Sequence, residues 1–262
     1  MQRQFDKIEG LGNDFIVVDA AVALGPEACD RHRGIGADGI LFVDPSARSM
    51  RVMNADGSRP EMCGNGIRCV MLWLAQRHLA KVGETISIDT DAGPHACTLL
   101  SLDGEVARVR VAMRHYTIEP ELERTLEVGE RRIVGTFVSM GNPHFVVFDA
   151  TRQGADEVAP QLEMHPLYPS HVNVGLAEQT GAASLSLRVF ERGVGYTEAC
   201  GTGACAAAAA AVETGRIERG VPIEVALPGG VLEIVVGERG APVLMTGPAR
   251  RVFSGSWAGA SR

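Results

Sequence analysis

The chain has 262 residues, enough to bury a sizeable core in one large domain or two of ordinary size. Its 45% hydrophobic and 22% charged residues read as a soluble globular composition, and a net charge of −7 leaves no basic stripe for nucleic acid. No stretch approaches membrane-spanning length and Met1–Asp6 lacks the apolar run of a signal peptide, so a cytoplasmic protein with reduced thiols is expected despite its six cysteines.

Phe5 to Asp19 gives two short β-rich runs broken at Gly10-Leu11-Gly12-Asn13. Residues 25–33 read as loop or short helix. Gly34-Ile35-Gly36-Ala37-Asp38-Gly39 formally matches G-x-G-x-x-G, but these glycines precede the strand-like Ile40-Leu41-Phe42-Val43 instead of following a strand. A dinucleotide fingerprint needs the opposite order, so a strand-entry turn is expected here. Met50 to Asn54 alternates as a strand and Ala55-Asp56-Gly57-Ser58 is turn chemistry. Gly66 to Lys81 carries Ile67, Val70, Met71, Leu74 and Leu79 at helical spacing, with Gly83 as the expected stop. Residues 85–113 read as three strands. Residues 114–132, charged and proline-interrupted, are the expected crossing between two halves.

The second half repeats the order, with strands across 133–149, a helix near 155–163, and strands at 172–177 and 184–190. A helix with six consecutive alanines, Ala206 to Ala211, closes at Gly215. Strands follow at 222–227, 231–236, 242–246 and 249–253. Each half is a set of short strands around one long helix. The class is α+β, and no βαβ unit of a parallel sheet is expected.

Two stretches mirror each other: Glu61-Met62-Cys63-Gly64-Asn65-Gly66 and Glu198-Ala199-Cys200-Gly201-Thr202-Gly203. The duplication extends further. Asn54 and Glu191 each lie nine residues before a motif cysteine, Ile86 and Ile223 each 23 after, and Gly93 and Gly230 each 30 after. Gly12-Asn13-Asp14-Phe15-Ile16-Val17-Val18-Asp19 matches Gly141-Asn142-Pro143-His144-Phe145-Val146-Val147-Phe148-Asp149.

A thiol on a glycine-rich turn at a helix N-terminus lies at the positive end of the macrodipole, so a lowered pKa is expected at Cys63 and Cys200. The N–H groups that follow can hold an anion. Two such thiols suit proton removal on one face of an amino-acid Cα and return on the other, with the helix ends stabilising the developing charge at the carboxylate. Pyridoxal phosphate would need a lysine beside a phosphate-binding glycine run. The chain has only Lys7 and Lys81, and neither lies there, so cofactor-free chemistry is expected. Cysteine spacing is also wrong for zinc, and no metal site is expected. Cys29, Cys69, Cys97 and Cys205 read as buried structural residues. Asn13, Asn54, Asn142 and Asn173 fall at strand ends or turns, where turn and capping chemistry is by itself the favoured reading. Glu191-Arg192 is a surface ion pair or a receptor for an ammonium and a carboxylate.

With Arg33-Gly34-Ile35-Gly36-Ala37-Asp38-Gly39, Asn54-Ala55-Asp56-Gly57-Ser58, Gly141-Asn142-Pro143-His144, Glu191-Arg192-Gly193 and the two cysteine motifs in this order, the chain resembles the diaminopimelate epimerase family over nearly its whole length. The resemblance implies two pseudo-symmetric β-barrel-like halves, each around a central helix, with the site in the cleft between them. It places the halves at residues 1–115 plus 249–262 and 116–248. It implies a cofactor-independent homodimer that interconverts LL- and meso-diaminopimelate on the route to lysine and peptidoglycan. Cys63 and Cys200 would be the acid/base pair. Gly64, Asn65, Gly201 and Thr202 would hold the reacting carboxylate. Asn13, Asn54, Asn142, Asn173, Glu191 and Arg192 would bind the rest of the substrate, and His144 and Glu191 would tune the thiols. Three positions depart from the pattern: Gly39 where some members have glutamine, Tyr196 where glutamate is common, and His171-Val172 where Arg-Thr is frequent.

Other readings are a two-thiol racemase of proline, hydroxyproline or histidine, an isomerase of the same fold without thiol chemistry, and a non-reacting amino-acid-binding module. A thiol–disulfide oxidoreductase is disfavoured because C-x-x-C is missing.

Overall fold

A computed structural model describes residues 2–258; Met1 and residues 259–262, at the ends of the expected first half, lie outside the described residues. The chain begins with strands β1 (Arg3–Gly10), β2 (Asn13–Asp19), β3 (Gly39–Asp44) and β4 (Ser49–Asn54). Helix α1 (Gly64–Gln76) follows, then β5 (Thr85–Thr90), β6 (Gly93–Asp103) and β7 (Val106–Ala112). Next come β8 (Thr117–Ile118), β9 (Arg124–Val128), β10 (Arg131–Ser139) and β11 (Pro143–Phe148). Two short helices, α2 (Ala150–Gln153) and α3 (Ala159–Glu163), lead to β12 (Asn173–Gly181), β13 (Ser184–Glu191) and β14 (Gly195–Thr197). Helix α4 (Gly201–Glu213), β15 (Pro222–Leu227), β16 (Gly230–Val235) and β17 (Leu244–Trp257) complete the chain. The described residues form two compact units, 2–112 with 246–258, and Met113–Met245.

In the first unit the β1–β2 hairpin turns through Leu11 and Gly12, both at positive φ (59° and 82°), the two-residue turn that suits strand twist. Pairing then runs β2–β3 parallel, β3–β4 antiparallel, β4–β5 parallel, and β5–β6 and β6–β7 antiparallel. β17 pairs with both β7 and β1, closing a ring of eight strands and leaving no open edge in it. α1 packs against β1, β2, β3, β4, β6 and β7, and every residue from Gly64 to Ala75 is buried. A helix enclosed this way has no wet face, so its apolar residues occur all round instead of in a stripe. Ile67, Val70, Met71, Leu72 and Leu74 are at most 1% exposed, each contributing roughly 1.5–3 kcal/mol of transfer free energy.

The second unit repeats the scheme: β10–β11 antiparallel, β11–β12 parallel, β12–β13 antiparallel, β13–β15 parallel, β15–β16 antiparallel. β8 and β9 join β10, and β14 joins β13. α4 packs against β10, β11, β12, β13, β15 and β16, with Ala206 to Ala211 fully buried. Alanine keeps high helix propensity while letting strands close in, so larger residues there would overpack by about 1–3 kcal/mol.

Four expectations need correction. Residues 114–132 are no bare crossing: Arg124–Val128 alternates and pairs with β10 inside the second unit. The two strands expected at 242–246 and 249–253 are one, β17, because Gly247-Pro248 is carried inside a strand paired on both sides. The helix expected at 155–163 is a 3₁₀ turn at Ala155–Val158 followed by α3. Finally, parallel pairs are present. Each central helix returns the chain to the end it came from, so β4 and β5, and β13 and β15, pair parallel across it.

The first helix also stops before its expected end. Leu79 is exposed, and the helix ends at Arg77 because His78 takes φ +61° while the Leu79 N–H reaches back to Leu74 O. This is a glycine-type C-cap without glycine. His78 stands fifteen residues after Cys63, and Gly215 (φ +71°) stands fifteen after Cys200, where the Arg216 N–H reaches Ala211 O. His78→Gly should raise stability by roughly 0.5–1 kcal/mol and Gly215→Ala should lower it by a similar amount. Denaturant melts that gave both substitutions the same sign would refute this account of the caps.

Candidate active site

Both motif cysteines are helix N-caps with extended backbone, Cys63 at φ −134°, ψ 116° and Cys200 at φ −122°, ψ 104°. Each thiol lies over the first helical turn. There the third helical residue is glycine for lack of space: a Cβ at Gly66 would lie 3.0 Å from Leu41 Cδ2 and 3.5 Å from Cys63 Sγ. At Gly203 it would lie 2.9 Å from Val189 Cγ2 and 3.3 Å from Cys200 Sγ. Gly64 and Asn65 begin α1 and Gly201 and Thr202 begin α4, so their N–H groups belong to the turn that the helix itself leaves unbonded. That is the geometry for holding a carboxylate.

In the first unit Cys63 is half-buried. Its Sγ accepts from Gly66 N–H at 3.4 Å and lies 3.9 Å from Asn13 Oδ1, which also accepts from Asn65 Nδ2 at 3.3 Å. Cys63, Asn13 and Asn65 are thus brought together. Asn54 closes its own turn, donating to Ser58 Oγ at 2.9 Å. Gly39, the first of the three positions that depart from the resembled pattern, sits against β4, where a Cβ would lie 2.7 Å from Met53 O. No side chain fits there without moving the strand.

In the second unit Cys200 is buried, with Sγ 3.6 Å from Thr202 Oγ1. Asn142 Nδ2 donates to Thr202 Oγ1 at 3.2 Å, and Asn142 Oδ1 lies 3.2 Å from His144 Nε2. Asn173 accepts from Arg192 N–H at 3.0 Å and donates to Pro143 O at 2.9 Å. Arg192 itself is exposed and donates to Ser170 O at 2.8 Å. Glu191 accepts from Thr197 at 2.5 Å. Asn142, His144, Asn173, Glu191, Arg192, Cys200 and Thr202 therefore share one neighbourhood. Thr197 was not legible as a partner, because a strand-end threonine carries no motif.

The expected lowering of both thiol pKa values fails at Cys200. Burial strips water from the thiolate and the Glu191 carboxylate opposes it, so the thiol is pushed well up although Thr202 and the Gly203 N–H pull the other way. His144 does not supply a positive charge either: complete burial, with the Arg192 charge, pulls it down to about 3, and it stays neutral at physiological pH. It is connected to the thiol through Asn142 and Thr202. Cys29, Cys69 and Cys97 are buried and pushed up by that burial, and Cys205 is fully buried. Lys7 is engaged by Asp14 at 2.6 Å. At the remaining departures, Tyr196 stacks edge-on to Phe190 with ring centroids 5.1 Å apart, and His171 meets Glu163 at 3.1 Å while Val172 is buried.

The family model described as diaminopimelate epimerase matches residues 5–117 and 136–252. A diaminopimelate epimerase of Desulforudis audaxviator is 44% identical, covering 97% of this chain and 99% of the relative. One from Gloeothece citriformis is 40% identical, covering 96% and 98%. Among solved structures, a hydroxyproline epimerase from Agrobacterium vitis with bound trans-4-hydroxy-L-proline has a TM-score of 0.72 at 16% identity, over 99% of this chain and 93% of that one. At that identity the likeness concerns the fold.

Since the Glu191 carboxylate disfavours the Cys200 thiolate, Glu191→Gln should move the pH profile of Cys200 alkylation to lower pH. Mass-spectrometric rates showing the profile unmoved or raised would remove Glu191 from the thiol's surroundings.

Proposed function

Since the chain belongs to the diaminopimelate epimerase family, we propose that Cys63 and Cys200 are the acid and base with which it inverts a single Cα. The reaction is the interconversion of LL- and meso-diaminopimelate, an isomerisation in lysine biosynthesis. The observation that carries the residue assignment is the twofold cysteine N-cap. Two separate helix ends present the same thiol over the same glycine, beside the N–H groups of Gly64-Asn65 and Gly201-Thr202.

Inversion needs one group to take the proton and another to deliver one from the opposite side. In one direction a thiolate removes the Cα–H, forming its S–H, while the other thiol gives its proton to the carbanion and becomes the thiolate. The reverse reaction exchanges the roles. An amino-acid Cα–H is too weakly acidic for a thiolate unaided, so the charge must be spread onto the carboxylate and held there by the helix N–H groups. Those donors are positioned by the fold, because the helix itself offers the N–H groups of its first turn no carbonyl partner. Burial of Cys200 suits the same proton transfer, since a thiol kept protonated by desolvation is a ready acid and, once deprotonated, a strong base.

The remaining roles in the reading are recognition. Asn13, Asn54, Asn142, Asn173, Glu191 and Arg192 would hold the other amino and carboxylate groups, with Arg192 as a two-pronged donor. His144 would act as a neutral hydrogen-bonding prop for Asn142. A racemase of proline or hydroxyproline would have no second charged end for Glu191-Arg192 to hold.

We also take the enzyme to be a cytoplasmic homodimer. Among the described residues no helix is long and apolar enough to cross a membrane. Leu102, Val106, Val252 and Phe253 are exposed on β6, β7 and β17 of the first unit, an apolar set that a second copy would cover. Sedimentation at micromolar concentration should give twice the 27.8 kDa chain mass; a monomer would end this part of the reading.

The two-thiol mechanism is tested in D₂O. Thiol protons exchange with solvent, so inverted product should carry deuterium at its new centre while early recovered substrate carries little. Cys63→Ala and Cys200→Ala should each stop epimerisation in both directions, with the remaining thiolate still able to exchange the Cα–H of the one isomer that faces it. Full activity in either variant would exclude the mechanism.

A further inference from the structure

In the first unit, the polar cluster where the 26–38 loop meets β1 and β2 leads directly to Cys63. Asp14 takes the Lys7 ammonium at 2.6 Å and both terminal nitrogens of Arg31 at 2.8 and 3.0 Å. Burial would raise its carboxyl, but Arg31 and Lys7 hold it down to about 2. Arg31 also bonds Asp38 Oδ1 at 2.7 Å, while Asp38 Oδ2 accepts from Asp14 N–H at 3.1 Å and from Asn13 Nδ2 at 2.8 Å.

From Asp38 the hydrogen bonds continue inward. Asn13 Oδ1 accepts from Asn65 Nδ2 at 3.3 Å, and Asn65 Oδ1 accepts from Arg68 Nη2 at 3.0 Å. Arg68 is fully buried and further held by Gly64 O and Pro248 O. Two side-chain amides thus span a guanidinium and a carboxylate. A guanidinium can only donate and an ionised carboxylate can only accept, so the ends dictate which way each amide faces. Turning either one over would set N–H against N–H or oxygen against oxygen. The dipoles run one way along the row, and each bond strengthens the next.

The consequence falls on the thiol. With its nitrogen committed to Asp38, Asn13 can offer Cys63 Sγ only an oxygen, 3.9 Å away. That oxygen accepts an S–H but repels a thiolate. We propose that Asp38 is a positioning residue that, through the Arg68–Asn65–Asn13–Asp38 row, turns the Asn13 carbonyl oxygen onto Cys63 and holds it as the proton-bearing thiol of the resting enzyme. This rests on the reading of Cys63 as a proton-transferring thiol. When Cys63 delivers its proton, the S–H bond breaks, a C–H bond forms at the carbanionic Cα, and the thiolate keeps the Gly66 N–H as its donor. Asn13 then favours recovery of a proton, which resets the thiol for the next turn.

The charged groups gathered around this stretch are Lys7 and Glu9 on β1, Asp14 on β2, Arg31 and Asp38 on the loop, Arg68 on α1, and Arg250 on β17, paired with Glu9 at 3.0 Å. Of these, Arg68 and Asp38 bond the two amides.

The proposal is tested by the pH profile of iodoacetamide alkylation at Cys63, followed by peptide mapping of the full chain without substrate. In Asp38→Asn the carboxylate that can only accept is gone and the new amide can turn its own N–H toward Asn13, so that only the Arg68–Asn65 end still opposes turning of the Asn13 amide. Its N–H then reaches Sγ in part of the population, and the midpoint should fall by up to about one pH unit, the scale of one hydrogen bond. The exchanged pair, Asn13→Asp with Asp38→Asn, keeps a hydrogen bond between these positions but puts a carboxylate oxygen on the thiol. Its midpoint should rise. Opposite shifts support the proposal; coincident profiles, or shifts of one sign, overturn it, since a merely structural role would change melting temperature without moving the thiol both ways. If Asp38→Asn does not fold, the exchanged pair decides alone: a midpoint at or below that of the unaltered protein overturns the proposal. Because alkylation needs no turnover, failure here is distinct from failure of the two-thiol reading, which Cys63→Ala tests by activity.

Discussion

A helix buried on every side still has to satisfy the N–H groups of its first turn, and no residue of the helix itself can do so. α1 and α4 are enclosed by strands from their first residues onward, so this constraint applies twice. Both units meet it with a cysteine at the cap and glycine at the third helical position, leaving the turn open toward whatever binds above it. The site is therefore a consequence of wrapping strands around a helix. The anion-binding end is the one part of each core that cannot be made apolar.

The two copies of this arrangement have diverged in a way that matters chemically. At matching places in the strand pairing, Phe15 faces Gly39 where His144 faces Asn173. Asn54 and Glu191 stand at the same distance from their cysteines. The first unit thus surrounds Cys63 with amides whose orientation is set by ions at a distance. The second brings a carboxylate close to Cys200 and removes it from water. At Cys200 desolvation and the Glu191 charge favour the protonated thiol, whereas Cys63 Sγ lies between the Gly66 N–H and the Asn13 oxygen. A substrate would have to supply the missing stabilisation of a thiolate. Chemistry gated by the substrate spares such thiols from idle reactivity.

Ion clusters hold two carboxylates ionised, one at the end of α4 and one beside Asn13. Glu213, the last residue of α4, lies at the negative end of the dipole, where a carboxylate is unfavourable. Arg239, Tyr116 and Arg219 surround it, and their hydrogen bonds hold it down to about 2 against burial. Asp14 in the first unit is held in a comparable way by Arg31 and Lys7. In both places the partners come from more than one element, Lys7 and Arg31 in one and Tyr116, Arg219 and Arg239 in the other.

Much was legible in the sequence because it is local chemistry. Turn residues, alternating strands, the alanine run and the glycines after each cysteine act over a few residues, and the internal repeat made each half a check on the other. Where the repeat was broken, reading failed: His78 stands in for the glycine of Gly215, so the end of α1 was misplaced. The sequence by itself determined the strand–helix order, the duplication and the two thiols at helix starts. Only the tertiary structure decided that β17 is one strand closing a ring, that Cys200 is pushed up instead of down, and that Asp38 and Arg68 aim the amides at Cys63. The reason is physical. Pairing across 200 or more residues, such as Lys7 with Phe253, removal of water and the direction of a hydrogen-bonded row depend on what the chain brings together, and none of them leaves a period or spacing in the sequence itself.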